Sequence, residues 1–450
     1  MKKLFALLLA LCMVLGLAAC GQTAPAAEAP AAEAPAAEAP AAEAPAAEAP
    51  AAEAPAAETP AEPAVEAPAA EATKMTIALR GGTYAEVIKE CLPAFEAENN
   101  VSIEVLDLGE DDLHSSIALD AINATGTYDL VMVDGSWMAE FTANGVLANL
   151  TELGYELDDD IIPATTAICV VDGQTYLAPY YGNVTVLLYN KALVEAAGFT
   201  GSDIANLDDI MTICKAAKDA GQKGFIYRGD SNNNTVVDFL PILLSFGGWV
   251  IDEETNAPTV NTPEFKAAME FYLDLVATGE AQKKDDLIAS VDTGAAAMGV
   301  GWPGWYTPTA DTTADYTAIT GVAHEGDPAY LANVYGVWTI GVPANSPHPE
   351  LAVKLISYLM DKDVQLATVP SGGVPCRYSA LQNPDVLATY PQYEVVCKAL
   401  EGGKYRPVLA QWPQMYDILG AELGNILQGV KTVDQGLADA QSRLESEIDW

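Results

Sequence analysis

The chain has few basic residues, fewer histidines and no cysteine pairing pattern. Its 450 residues carry 21 Lys and Arg against 63 Asp and Glu, a formal net charge of −42. A surface of that sign repels phosphate backbones and anionic headgroups, whose protein partners present clustered Lys and Arg, so nucleic-acid binding is excluded. His114, His324 and His348 stand apart, without the H-E-x-x-H spacing of a zinc site. None of the seven Cys forms a C-x-x-C pair, so neither a disulfide framework nor a metal knuckle is signalled. Beyond the N-terminus, Cys91, Cys169, Cys214, Cys376 and Cys397 read as small buried hydrophobes, with one bridge between Cys376 and Cys397 left open. G-x-S-x-G and P-loop motifs are missing. Gly299 to Gly304 spells G-x-G-x-x-G, but Trp302 and Pro303 stand where backbone amides must approach a pyrophosphate. Asp230, Asn232 and Asn234 imitate the start of a calcium loop, yet Thr235 replaces its glycine and Pro241 its closing acid. No enzyme activity, cofactor or metal is expected.

Long apolar runs are equally scarce, and the one present, Leu4 to Gly21, lies at the N-terminus. Lys2 and Lys3 precede it, as in a signal peptide, and its end, Leu17-Ala18-Ala19-Cys20, resembles a bacterial lipobox. In that class of signal, cleavage falls before the cysteine, which is then acylated, and two or three acyl chains hold a protein stably on a bilayer. Residues 1–20 are therefore expected to be a lipoprotein signal, with Cys20 as the lipidation site on the outer face of the cytoplasmic membrane. From residue 21 to 73 the chain repeats AAEAP. Proline at every fifth position forbids a helix, and Glu as the only charge favours an extended tether of about 3.1 Å per residue. Such a tether spans on the order of 100 Å. Setting aside its ten Glu and the two signal lysines leaves −34 on the remainder, so the acidity belongs to the globular part.

That remainder alternates strand and helix patterns. Met75–Leu79 is an apolar run ending in Arg80-Gly81-Gly82, followed by helically spaced Val87, Ile88, Cys91, Leu92 and Phe95. Val101–Leu108 alternates as a strand, Asp112–Ile122 reads as a helix and Leu130–Val133 as a buried strand. A second set follows Val184–Tyr189, with strands near Gly224–Tyr227 and Ala295–Val300. Thr262-Pro263 opens a helix with Phe265, Ala268, Met269 and Tyr272 on one face. The fold class is α/β, in two lobes, each a mostly parallel sheet flanked by helices. Ligands in such sheets bind at the carboxyl ends of strands, which singles out the loops Arg80–Thr83, Gly109–Asp112 and Asp134–Trp137.

Several stretches in order then resemble the extracellular solute-binding proteins of ABC sugar importers, the maltose-binding-protein class. They are TYLAPYYGNVTVLLYNKALVEAAGF (175–199), GAAAMGVGWPGWY (294–306), YGVWTIGV (335–342), SPHPELAVKLISYLMDKDVQ (346–365), SGGVPCR (371–377) and RPVLAQW (406–412). The resemblance covers essentially all of 75–450. It implies a periplasmic-binding-protein-like fold with a hinged cleft, a lobe of 74–183 plus 330–372, and a second of 184–329 plus 373–450. The implied partners are a small carbohydrate and the transmembrane subunits of an ABC permease, with the receptor itself a monomer. Polyamine or peptide capture by the same fold, or a secreted glycosidase, are the competing readings.

A sugar presents flat C–H faces and many hydroxyls, so its site needs aromatic faces and planar polar groups. Trp302 and Trp305, two Trp around Pro303-Gly304 directly after a strand, are the leading faces. Trp137, Tyr181, Trp338 and, through the family alone, Tyr416 are further candidates, with core packing an equal alternative for Trp338. Asp134, Glu110, Asp111, Asn183 and Arg377 are the expected hydroxyl readers. Arg80 is open between a carboxylate of the ligand and its own neighbour Glu110.

Overall fold

The computed structural model describes residues 71–309, 311–328 and 330–450. The signal segment, Cys20 and nearly all of the AAEAP repeat lie outside them. The described residues form one compact unit built on two five-stranded sheets.

The first sheet orders its strands Val101–Leu108, Thr73–Arg80, Leu130–Asp134, Trp338–Gly341 and Leu177–Tyr181. The first three run parallel, as the alternating pattern predicts. Trp338–Gly341, returning from the far part of the chain, runs antiparallel to both its neighbours, so the sheet is mixed rather than uniformly parallel. Trp338 sits opposite both Asp134 and Tyr181. This register brings Arg80, Asp134, Tyr181 and Trp338 to one edge, because three of them end parallel strands and the fourth begins an antiparallel one. Every residue of Leu130–Asp134 is buried, and each such aliphatic side chain stabilises the core by about 1.5–3 kcal/mol.

The second sheet orders Ala314–Thr317, Val186–Asn190, Ala296–Gly301, Lys223–Tyr227 and Glu280–Ala281. Here Val186–Asn190 is the antiparallel member. Tyr227 and Gly301 end their parallel strands on the same edge, so Arg228 and Trp302, next in sequence, leave the sheet together. The helix Pro263–Val276 starts where its sequence cap requires, with the Thr262 hydroxyl accepting from the Phe265 N–H at 3.3 Å.

Three segments pass between the lobes side by side. The Gly336 N–H donates to the Asn183 carbonyl at 2.9 Å, Val184 bridges Tyr335, and Val334–Tyr335 pairs with Lys404–Tyr405. Two expected boundaries move accordingly. Ala332 and Val334 belong to the second core and Tyr335 to the first, so that crossing lies at 335 rather than 330. Val374, Cys376, Leu381, Tyr393 and Leu400 pack into the first core, and the chain returns to the second at Leu409 and Trp412, not at 373. An amphipathic helix shows that it buries one face, not which core that face meets. All five described cysteines are free thiols, so Cys376 and Cys397 form no bridge. Among the described residues no helix is long and apolar enough to cross a membrane.

Candidate ligand-binding site

A cavity of about 430 Å³ opens between the edges of the two sheets. The strand Thr73–Arg80 delivers Arg80 to it, and the turn Gly81-Gly82 starts the next helix at once. Gly82 adopts φ 83°, a conformation a β-carbon would strain, and its carbonyl accepts from Ala85 and Glu86. That sharp turn puts Thr83 and Tyr84 on the cavity wall. Tyr84 lies 5.6 Å from the Trp338 ring and 4.7 Å from that of Tyr181, and burial raises its hydroxyl pKa above the ordinary tyrosine value. Asn183, on the first crossing, donates to the Tyr84 hydroxyl at 3.2 Å while its own Oδ1 stays buried without a partner.

Asp134 forms the floor. Its Oδ1 accepts from the Ser136 N–H at 2.9 Å, the Ser136 hydroxyl at 2.7 Å and Arg406 Nη2 at 2.6 Å. Arg406 Nε is buried and unpartnered. Glu110 opens the helix Glu110–Asn123 and accepts from Asn233 Nδ2, on the other lobe, at 3.1 Å. Burial and then Asp134 push the Glu110 carboxyl above the ordinary carboxylate range, against a smaller opposing pull from Arg406 and Arg80.

The second lobe supplies the facing wall. Trp302 is buried at the end of its strand and lies so close to Gly336 that a β-carbon there would come within 2.6 Å of its ring. Trp305 is half-buried, with the Arg228 guanidinium 4.9 Å and Lys284 Nζ 5.8 Å from its ring centre. Arg228 is held by buried Asp238, with Nη2 to Oδ1 at 2.5 Å and the backbone N–H to Oδ2 at 2.8 Å, and donates through Nη1 to Asn234 at 2.7 Å. Partial burial lowers the pKa of Lys284, to which Arg80 and Arg228 add and which Asp285 opposes. The Thr83 hydroxyl reaches the Gly304 carbonyl at 3.4 Å, closing the two walls on each other.

Of the residues expected from sequence, Arg80, Glu110, Asp134, Asn183, Trp302, Trp305 and Trp338 line this cavity. Five do not. Arg377 is 1 % exposed and committed elsewhere, to Asp158 and Asp160 at 3.0 Å each, Gln365 at 2.9 Å and the Met360 carbonyl at 2.5 Å. Trp137 backs Trp338 from the core at 5.5 Å, and Tyr181 turns its hydroxyl to the Gly372 carbonyl at 2.6 Å. Asp111 is exposed in the first turn of its helix. Tyr416 packs on Trp412 at 5.9 Å, its hydroxyl pushed up to about 12 by burial and then by Asp417, Glu110 and Asp111.

Sequence reasoning missed Tyr84, Arg228, Asn233, Asn234, Lys284 and Arg406. A usable signal existed for Arg228, which follows a strand end as Arg80 closes one. Asn232 and Asn234, set aside as a failed calcium loop, open the helix Asn232–Ser245, and Asn234 orients Arg228. Among the described residues no acidic, His or Cys cluster is arranged to hold a metal.

The maltose-bound MalE3 of T. maritima is 23 % identical and superposes with a TM-score of 0.73, over 84 % of this chain and 100 % of that one. A solute-binding protein from Agrobacterium radiobacter K84, in complex with ribitol, is 24 % identical with a TM-score of 0.73, over 84 % and 99 %. At these identities the likeness establishes the two-lobe fold. A probable amino-acid ABC transporter periplasmic-binding protein of Sinorhizobium fredii is 22 % identical over 372 residues, 78 % of this chain and 84 % of that protein. The model of the bacterial extracellular solute-binding protein family matches residues 78–366. With that match over more than half its length, the chain belongs to the bacterial extracellular solute-binding protein family.

Proposed function

We propose that this protein is the lipid-anchored receptor of an ABC importer, that it encloses a carbohydrate between its lobes, and that it hands this to the permease without chemical change. The observation that carries the reading is the cavity itself. Its 430 Å³ suits a small sugar, and its lining combines the rings of Tyr84, Trp302, Trp305 and Trp338 with amide and carboxylate groups from both lobes. Aromatic faces supply apolar burial against sugar C–H groups, and the unpartnered Asn183 and Asn233 amide oxygens supply acceptors for hydroxyls. The maltose and ribitol complexes of similar proteins support the same class of ligand. A polyamine fits poorly, since Arg80, Arg228, Lys284 and Arg406 on the wall outnumber Glu110 and Asp134. Cys20 is the proposed anchor, which puts the domain outside the cytoplasmic membrane on its acidic tether, as a monomer.

The test is thermal stabilisation of the full chain in detergent by mono- and oligosaccharides, polyols, polyamines and short peptides. A ligand at 100 times its dissociation constant adds about 2.7 kcal/mol. Stabilisation by a sugar or polyol that is recovered unaltered supports the reading. A response to polyamine or peptide alone, or hydrolysis of the sugar, overturns it. For the anchor, Cys20→Ala is expected to move the protein from the membrane to the soluble fraction, and retention on the membrane would count against lipidation.

A further inference from the structure

The cleft has the opposite sign to the rest of the molecule. The chain carries three acids for each base, yet three of its five arginines, Arg80, Arg228 and Arg406, line the cavity, with Lys284 beside them. Two of these four are neutralised from within the protein. Arg406 pairs with Asp134, and Arg228 with Asp238, all four residues being buried. Arg80 and Lys284 are not. Among the described residues neither makes an ion pair, and the one hydrogen bond of the Arg80 guanidinium is a 3.4 Å contact to the carbonyl of its neighbour Gly81. Glu110, the carboxylate offered to Arg80 by sequence, is bonded instead to Asn233. In a protein with so many carboxylates, two uncompensated cations facing one cavity constitute a charge arrangement completed from outside.

Resting on the carbohydrate reading above, we propose that the ligand is an acidic sugar, whose carboxylate or phosphate is held by Arg80 and Lys284 beside Arg228. An inorganic anion alone would leave most of the cavity, and the faces of Tyr84, Trp302 and Trp338, without a partner. Complementary groups for sugar hydroxyls are present as well: the buried, unpartnered Oδ1 atoms of Asn183 and Asn233 accept, and the buried, unpartnered Nε of Arg406 donates. The mutual proximity of the cations is registered in the depressed pKa of Lys284, to which Arg80 and Arg228 contribute after burial. An anion between them relieves that repulsion, and the guanidinium fork of Arg80 matches the two oxygens of a carboxylate or phosphate. Trp305, with Arg228 against its ring, is placed to pack on the sugar next to its charged substituent.

The experiment is calorimetric titration of the full chain in detergent with glucose, galactose and maltose, with glucuronate, galacturonate and their dimers, with glucose 6-phosphate, and with succinate and glutamate as acids that are not sugars. The expected result is binding of a uronate or of the sugar phosphate, at least tenfold tighter than its neutral parent, with affinity falling as NaCl rises. The two acidic arms decide which anion is taken. Arg80→Gln is expected to weaken that ligand about 10- to 100-fold, the loss of one charge-assisted contact, and so to narrow its margin over the neutral parent sugar. Lys284→Gln, in the first turn of the helix Lys284–Asp292, tests the same point from the other cation. Equal or tighter binding of a neutral sugar, insensitive to salt and to both substitutions, overturns this inference and leaves the carbohydrate receptor standing. Binding of succinate or glutamate with no sugar bound overturns the carbohydrate reading itself, and silence to every compound overturns both.

Discussion

Asp134 and Arg406, 272 residues apart in sequence, meet at 2.6 Å with both side chains about 95 % buried. One ends a central strand of the first sheet, and the other follows the last segment to cross between the lobes. The pair therefore fastens that crossing to the floor of the cleft. Breaking a buried pair by removing one partner leaves the other charge without compensation and costs about 3–5 kcal/mol. Arg406→Met and Asp134→Asn are each expected to lose about that much in urea unfolding. The double variant is expected to lose less than the sum, and strict additivity would mean that the pair is not coupled.

Trp305 and Trp137 separate ligand contact from support. Trp137 is buried among His114, Phe141 and Trp338, so Trp137→Ala is expected to lower stability by about 3–5 kcal/mol. Trp305 is half-buried on the cavity wall, and Trp305→Ala is expected to weaken the bound sugar with a smaller loss of stability. Unfolding and calorimetry on the two variants check both halves.

Arg377 provides the converse case. With its guanidinium held between Asp158, Asp160 and Gln365, Arg377→Ala is expected to destabilise the first lobe by about 3 kcal/mol. That is the low end for a buried pair, because both aspartates keep partial access to water. Ligand affinity is expected to survive, and its loss at unchanged stability would return Arg377 to the site.

Glu110 predicts a pH dependence. Its folded pKa is raised, chiefly by burial and then by Asp134, so the native state holds this proton at a pH where the unfolded chain has released it. Above the raised value the ionised, partly buried carboxylate destabilises the fold, and that penalty fades as pH falls towards the ordinary glutamate value of about 4.3. Glu110→Gln keeps an oxygen for Asn233 and is expected to raise stability at pH 7, with the advantage shrinking on acidification. An advantage that grows on acidification would reverse the assigned sign.

Gly336 is required by Trp302. A β-carbon within 2.6 Å of the indole forces the ring or the crossing backbone to move, and overpacking of this kind costs about 1–3 kcal/mol. Gly336→Ala is expected to weaken ligand binding along with stability, measured as a joint fall in melting temperature and affinity.

Much of the fold was legible because its elements are local patterns. Val101–Leu108 alternates, Leu130–Val133 is apolar throughout, and Thr262-Pro263 starts a helix, so their structure follows from neighbours in sequence. The antiparallel insertion of Trp338–Gly341 was not legible, since its two partners lie about 200 and about 160 residues away. The site divides in the same way. Arg80, Asp134 and Trp302 were accessible from the rule that ligands gather at the ends of parallel strands. Arg377 and Arg406 look alike in sequence, each in a conspicuous motif, and only their distant acids distinguish a lobe brace from a cleft wall. Tyr84 was concealed in the regular pattern of a helix, although it stands in its first turn. The scarcity of arginine was the unused clue, because five such residues in 450 are few enough to ask each what it neutralises.

The position of Trp338–Gly341, between Leu130–Asp134 and Leu177–Tyr181, has a consequence for the order in which the molecule can be made. Until that strand arrives, nothing joins Leu177–Tyr181 to the rest of the first sheet, and the helices carrying Val374 to Leu400 are still needed to cover it. The N-terminal lobe therefore cannot finish before the C-terminal lobe has begun, however early its own residues leave the ribosome. Its long-range pairings delay collapse to a late, joint event. A chain cut after the second sheet, near residue 320, would leave the central strand Leu130–Asp134 and the outer strand Leu177–Tyr181 without the partner that joins them, and both lobes unfinished.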